Sequence, residues 1–345
     1  MPHPSQPLAS LQQVLVTPSR QDGVPEDLED DLRVMGCVLI QELGVMLELP
    51  QCTLATAQVL LQRFFYVSSL SSYTVNDIAI GSLYLSSKLT ESQLRLRDLL
   101  NVYLLYVARN EHLRTRLQTQ TRDRDQNREL EPAEHQGQAV EDERDPMEGF
   151  EYTPPSFHSP VYYELKDVVV VAEMQILKRL GFHVQVDLPY SHMINYCKIL
   201  DLVVKPGVVQ LCWSILNDAL QTPIYAHYPP PTLACFSILL ATRLLAIPLP
   251  DRWWVLFDAD YDDMWTACGW VMRLWRDWGD GGSSRPGMAT KTETETLMGT
   301  RKETTGDQDE MRRARWARAC GLATSRKYVR KYIERVELED EKRGQ

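Results

Sequence analysis

The sequence predicts an all-α protein built from two consecutive units of about five helices each. Apolar residues recur every three or four positions through most of the chain, and no segment shows the apolar–polar alternation of a half-buried strand. A shift of 155 positions also places IAIGSLYLSSKL (78–89) on LACFSILLATRL (233–244), so that Ala79 meets Ala234 and Ser82 meets Ser237. Such an internal repeat indicates two copies of one folding unit.

The first unit opens with four predicted helices. The first follows Pro25, runs from Leu28 to Met46 with helical spacing and ends at Pro50. Three more helical stretches lie at about 54–64, 74–89 and 93–109. The third is rich in small residues, which let neighbouring helices approach from all sides, so we expect the third helix of each unit to be its central one.

Residues 111–160 interrupt this pattern and are predicted to form a disordered insertion. Between 111 and 151 there are six arginines, no lysine, twelve acidic residues and few large apolar residues. Such a segment buries too little apolar surface to offset the entropy of ordering it. Helical periodicity resumes near Tyr163 and ends at Gly181, which closes the first unit.

The second unit is predicted to contain five helical stretches, beginning near Leu188, Pro206, Pro230, Asp251 and Tyr261. Its last two stretches hold six tryptophans, and we expect core packing, with Trp265, Leu256 and Val271 facing inward. The predicted division of the chain is an N-terminal segment (1–24), a first unit (25–186), a second unit (187–278), a polar linker (279–310) and a basic tail (311–345).

The tail has eleven basic and five acidic residues, and Tyr328, Tyr332, Ile333 and Val336 would line one side of a short helix. The basic tail could be a nuclear import signal or an RNA-contacting segment. Its composition is equally compatible with a solvated, partly helical end of the chain.

Composition excludes several classes of protein. The net charge of −10 and a pI near 5.3 argue against binding to nucleic acid by bulk electrostatics. The longest apolar stretch, Thr232 to Leu249, is interrupted by Thr242 and Arg243, so no membrane span is expected. None of the seven cysteines is spaced CxxC, and the sequence has no HExxH, GxSxG or glycine-rich phosphate loop. We therefore predict no metal site, no cofactor and no catalytic residue.

Three segments carry a resemblance to a known family. DLRVMGCVLIQELGVMLELPQCTLATAQVLLQRFFY (31–66) resembles the opening of a cyclin box. LYLSSKLTESQLRLRDLLNV (83–102) resembles the end of its third helix and its fourth helix. VVVVAEMQILKRLGFHVQVDLPYSHMINYCKIL (168–200) resembles its fifth helix and the entry to a second box. TPSRQDG (17–23), the LGFHVQVDLPYSHM junction and LATRLLAIPLP (240–250) look most like the cyclin L branch, which is linked to transcription and splicing. The resemblance covers roughly 15–110 and 161–278.

The resemblance implies a regulatory subunit, not an enzyme. Cyclins bind a cyclin-dependent kinase beside its mobile αC helix and hold that helix in its active position. In the family pattern a lysine that ends the third helix pairs with a glutamate in the fifth, and the matching residues here are Lys88 and Glu173. The apolar positions that match the family's contact surface are Leu89, Leu177 and Phe182. Many cyclins carry a glutamate where this chain has Thr90, and the following Glu91 would replace it.

Arg33 matches an arginine that braces the cyclin box internally.

The main hypothesis is a nuclear cyclin of the L-like branch that activates a transcription-associated kinase of the PITSLRE class. Its targets would be RNA polymerase II machinery and splicing factors. Two alternatives stay open. The first is a DNA-bound factor resembling transcription factor IIB, which would need a zinc ribbon and basic helix faces. The second is a cyclin-fold scaffold that does not bind a kinase, and Thr90 and the lack of an arginine–serine-rich tail favour it.

Overall fold

A computed structural model describes residues 8–130, 149–156 and 158–278, and residues 315, 318, 319, 323, 327 and 329–335 of the C-terminal segment. Within these residues the regular elements are all helices, as predicted. The predicted linker (279–310), most of the predicted insertion beyond residue 130, and parts of the tail, including Tyr328 and Val336, lie outside the described residues.

The first unit contains the five predicted helices, preceded by two short ones. In chain order they are α1 (Leu11–Leu15), α2 (Pro18–Gln21), α3 (Glu26–Met46), α4 (Gln51–Val67), α5 (Val75–Leu89), α6 (Leu96–Leu130) and α7 (Pro160–Arg179). Helix α5 packs against α3, α4, α6 and α7 and is the central helix, as its small residues predict. Ala79 and Ser82 are fully buried on it, so neighbours approach its backbone closely.

The second unit repeats this plan with one shortened element. It consists of α8 (Tyr190–Ile199), α9 (Val208–Ala219), α10 (Ile224–His227), α11 (Pro230–Leu244), the 3₁₀ turn η1 (Trp253–Phe257) and α12 (Tyr261–Trp278). The central helix α11 begins and ends 155 residues after α5 at both ends, which matches the sequence repeat. The stretch expected near Asp251 forms only η1, because Arg252 and Asp258 on either side of it adopt left-handed backbone angles that end a helix.

The prediction of disorder from residue 111 onward is wrong for its first part, because α6 continues to Leu130. Leu113 is buried, and the ring of His112 lies 5.5 Å from that of Phe150. These contacts anchor the helix beyond Arg109. The following residues are mostly arginine, glutamine, leucine and glutamate, which favour helix even where little surface is buried.

Two of the three residues expected to face inward in the last helices of the second unit do not. Val271 is fully buried, but Trp265 is 60% exposed and Leu256 is 72% exposed. In α12 the buried positions follow Met264 at helical spacing, which turns the neighbouring Trp265 outward, where it stacks on Tyr261. Trp253 and Phe257 fill the core in place of Leu256.

The two units share helix α4. Most of its buried residues belong to the core of the first unit, but Ala55 and Val59 pack into the core of the second. Polar contacts join the units beside this helix: the hydroxyl of Tyr66 lies 2.5 Å from Nε2 of His227, and Nε2 of Gln51 donates to Oδ1 of Asn217 at 3.2 Å.

The C-terminal segment packs against the first unit. Its described residues are helical, and Ala319, Ala323, Val329 and Ile333 are buried in the core of the first unit. Neither sequence interpretation of the tail, a solvated end or a binding signal, anticipates this internal packing.

Candidate functional site

Lys88 and Glu173 form an ion pair across the first unit. Lys88 lies in the last turn of α5, and its Nζ is 2.6 Å from Oε1 and 2.8 Å from Oε2 of Glu173 in the middle of α7. The same Nζ lies 4.1 Å from the centre of the Tyr84 ring. The side chain of Lys88 is 49% exposed and that of Glu173 is 14% exposed, so the pair sits at the surface with its ammonium open to a partner.

Close packing of α5 on α7 makes this pair possible. Gly81 faces α7, and a Cβ atom at Gly81 would lie 2.7 Å from the Cβ of Ala172 and 3.3 Å from the backbone nitrogen of Glu173. Two helices approach this closely only where one has no side chain. Gly81 and Ala172 therefore set the distance across which Lys88 reaches Glu173.

The predicted apolar contact residues surround the ion pair. Leu89 follows Lys88 and is 42% exposed, Leu177 lies one helical turn beyond Glu173 and is partly buried, and Phe182 is 72% exposed just past the end of α7. Phe182 has a left-handed backbone angle, and its N–H donates to the carbonyl oxygen of Leu177 at 2.9 Å, which fixes the turn. An exposed aromatic side chain on an ordered turn is suited to contact with another protein.

Three further exposed apolar residues on α7 were missed by the sequence analysis. Val170, Val171 and Met174 are 48%, 50% and 55% exposed, and Val170 and Met174 share a helix face with Glu173 and Leu177. The run VVVV (168–171) carries the signal, because a helix with a single buried face cannot bury four consecutive residues. We call the surface formed by Lys88, Leu89, Val170, Glu173, Met174, Leu177 and Phe182 the α5–α7 surface.

Thr90 and Glu91 follow Leu89 at the edge of the α5–α7 surface, and they differ in exposure and hydrogen bonding. The hydroxyl of Thr90 contacts that of Thr53 at 2.8 Å and donates to the carbonyl oxygen of Ser86 at 2.9 Å, so it is engaged within the unit. Glu91 is exposed, with a left-handed backbone angle that carries it away from the helix axis. Of the two residues, only Glu91 presents an acidic group to solvent.

Arg33 is buried at the junction of α3 and α4. Its guanidinium donates to Oε1 of Glu29 at 2.7 Å and to the carbonyl oxygens of Gln62 and Phe65 at 3.3 and 3.0 Å. Glu29 also accepts from Thr17 and Arg20 of the N-terminal segment. One buried carboxylate thus holds α2, α3 and, through Arg33, α4 together, which is a bracing role within the first unit.

A cleft of about 320 Å³ lies between the two units, with Asp30, Arg33, Tyr66, His227 and Trp270 among its lining residues. Burial raises the pKa of Asp30 to about 6 in spite of the nearby Arg273, whereas burial, helped by the positive charge of Arg33, lowers the pKa of His227 to about 4. The cleft therefore holds a neutral imidazole at neutral pH, hydrogen-bonded to the Tyr66 hydroxyl.

The part of the chain described above contains no group of three histidine, cysteine or acidic residues placed to hold a metal ion. None of its helices combines the length and the apolar character that crossing a membrane requires.

Comparison with known proteins supports one family. The family model "Cyclin, N-terminal domain" matches residues 9–123. Human Cyclin-L2 is 33% identical over 261 residues, which cover 75% of this chain and 43% of that protein. Zebrafish (Danio rerio) Cyclin-L1 is 34% identical over 75% of this chain and 45% of that protein. The chain thus matches less than half the length of these relatives.

A solved structure described as the yeast RNA Pol II CTD kinase CTDK-1 complex contains a chain with the same fold. The TM-score is 0.58 at 17% sequence identity, and the match covers 85% of this chain and 82% of that chain. The paired helical units, the matched N-terminal domain and the similarity over three quarters of the sequence assign this chain to the cyclin family, and within that family it resembles cyclin L.

Proposed function

We propose that this protein is the regulatory subunit of a cyclin-dependent serine/threonine kinase and binds that kinase through the α5–α7 surface. The observation that carries the proposal is the Lys88–Glu173 ion pair, which is partly exposed and bordered by exposed apolar side chains. A charged pair inside an apolar border is typical of protein interfaces, in which the border excludes water and strengthens the central contacts.

The mechanism of activation is mechanical. The exposed apolar residues of α7 pack against the mobile αC helix of the kinase, while Lys88 and Glu173 present polar groups to the same segment. Holding αC inward lets its glutamate pair with the lysine that positions ATP, which completes the kinase active site. All the chemistry belongs to the kinase, and this chain supplies no catalytic residue.

The kinase we propose is of the PITSLRE class, the location is the nucleus, and the substrates belong to the RNA polymerase II and splicing machinery. The similarity to cyclin L supports this choice.

The test is co-purification of tagged protein with the PITSLRE-class kinase, using the single variants Lys88→Glu and Glu173→Lys and the double variant. We expect each variant to recover at least about tenfold less kinase. If the pair only joined α5 to α7, the double variant would re-form it with reversed polarity and bind like the wild type. Continued weakness of the double variant therefore separates a kinase contact from a purely internal one.

Lys198→Glu is the matched control, because Lys198 is exposed and occupies the last turn of α8 as Lys88 does in α5. It should recover the kinase normally. Recovery of promoter-bound polymerase factors without any kinase would favour the alternative resembling transcription factor IIB. A wild-type protein that captures no kinase at all would favour the scaffold alternative.

A further inference from the structure

Asp31 is a fully buried acidic residue whose ion-pair partners come from the far end of the chain. It lies on α3 with none of its side chain exposed, and its Oδ1 is 2.6 Å from Nε of Arg315 and its Oδ2 is 3.2 Å from Nη2 of Arg318. These are its ion pairs among the described residues. A buried carboxylate requires such partners, since removal from water strongly disfavours an isolated charge.

Further described residues of the C-terminal segment also contact the first unit. The Nε of Arg330 donates to the carbonyl oxygen of Ser71 at 3.0 Å, and its charge helps the hydroxyls of Ser69 and Ser71 to lower the pKa of Asp22. The described contact residues of the segment are Arg315, Arg318, Ala319, Ala323, Val329, Arg330 and Ile333.

Two features indicate that this segment behaves as a ligand of the first unit. It is separated from α12 by 36 residues rich in glycine, serine and threonine, yet the guanidinium of Arg315 lies 5.5 Å from the centre of the Trp278 ring at the end of α12. Both ends of the intervening stretch therefore meet at one place, and closing a loop of this length costs little more than closing a short one.

The second feature is the composition of the contact. Among the described residues of the segment the buried apolar side chains are Ala319, Ala323, Val329 and Ile333, and the two alanines remove little apolar surface from water. The contacts of Arg315 and Arg318 with Asp31 add specificity, because a guanidinium matches a carboxylate in shape as well as charge.

We propose that the first unit carries a docking groove centred on Asp31 that recognises a helix with arginines three residues apart, and that the C-terminal segment is its detachable occupant within the same chain. The recognised chemistry is Arg-x-x-Arg followed by small or branched apolar residues at helical spacing, as in Arg315, Arg318, Ala319 and Ala323. The groove is centred on α3, and Asp31 is not one of the residues that form the α5–α7 surface.

The test uses the full chain with a protease recognition sequence inserted after Ser284, cut under native conditions. We expect the C-terminal fragment to co-elute with the rest of the protein in size-exclusion chromatography. Replacing both arginines (Arg315→Ala with Arg318→Ala) should weaken retention of the fragment about tenfold or more, whereas Lys331→Ala, which alters an exposed residue of the same segment, should not.

On the groove side, Asp31→Asn should release the fragment to a similar extent. Asp27→Asn is its control, because Asp27 lies on the same helix but is 79% exposed and pairs with Arg273. If Asp31→Asn disturbs folding, the arginine variants still decide the question, since they change no residue of either unit, and Arg318→Ala alone leaves Asp31 paired with Arg315. A wild-type fragment that separates at once, or an arginine variant that is retained like the wild type, would overturn the proposal. If the uncut protein is a dimer and the arginine variants are monomers, the segment occupies the groove of a second copy. That result would overturn the proposal that the groove and its occupant belong to the same chain.

Discussion

Gly81 of α5 faces Ala172 of α7 with room for a hydrogen atom and nothing larger, because a Cβ at position 81 would lie 2.7 Å from that of Ala172. Gly81→Ala should therefore push the helices apart and lower the free energy of unfolding by about 1–3 kcal/mol, which chemical denaturation measures. Gly269→Ala is the control, since a Cβ there meets no atom within 4 Å and alanine favours helix. It should raise stability slightly, and equal losses in the two variants would contradict the packing argument.

If the α5–α7 surface binds a kinase, Met174→Glu should weaken binding about tenfold or more without lowering the melting temperature. The side chain is 55% exposed, so an added charge disturbs a partner and not the core. Val204→Glu, at a 79% exposed position of the second unit, provides the comparison and should bind normally. Isothermal titration with purified kinase measures both. Identical affinities for the two variants would exclude this face of α7 from the interface.

Arg33→Met should lower the free energy of unfolding by about 3–5 kcal/mol, because it leaves Glu29 buried without its strongest partner. The side chains of Arg33 and Glu29 are 4% and 1% exposed. By contrast, Arg114→Met breaks the exposed pair with Glu111 and should change stability by less than about 0.5 kcal/mol. Urea unfolding distinguishes the two, and comparable small effects would show that Arg33 does not brace the unit.

Asp30 and His227 in the cleft between the units should change the stability of the protein with pH in opposite directions. Asp30 has a folded-state pKa of about 6, above its ordinary value of about 3.9, so the folded state retains a proton that the unfolded chain loses and stability falls as pH rises from about 4 to 6. His227 has a folded-state pKa of about 4, below its ordinary value of about 6.5, so its contribution to stability rises over nearly the same range.

These two contributions to stability nearly cancel in the wild type. Replacing either residue should therefore reveal the pH dependence of the residue that remains. His227→Gln should become less stable by about 1–3 kcal/mol between pH 4 and 6, and Asp30→Asn should become more stable by a similar amount between pH 4 and 6.5. Denaturant midpoints measured across this range provide the check. Parallel pH profiles for the two variants would contradict the assignment.

The helical spacing of apolar residues and the internal repeat were enough to predict the helical architecture. The central position of α5 and α11 follows from their small residues, and the shift of 155 residues reproduces the bounds of both helices. The continuation of α6 to Leu130 was not predicted, because the lack of apolar residues suggested disorder although arginine and glutamine favour helix. Trp265 was misplaced because its large apolar side chain suggests the core, whereas its position on α12 directs it outward.

The candidate site depended on family resemblance. Lys88 and Glu173 are 85 residues apart in sequence, and nothing local to either residue indicates that they meet. Asp31 was equally hidden, because acidic residues in the first turns of a helix are ordinarily solvated and favoured there by the helix dipole. Its burial depends on a segment almost three hundred residues later, since Arg315 lies 284 positions after Asp31 in the sequence.

The double use of α4 has a consequence for how the molecule melts. Since Ala55 and Val59 complete the second core from a helix that belongs to the first, neither half can open without exposing apolar surface in the other. Heating should therefore produce one cooperative transition for both halves, and a fragment that ends between them should aggregate through the uncovered side of α4.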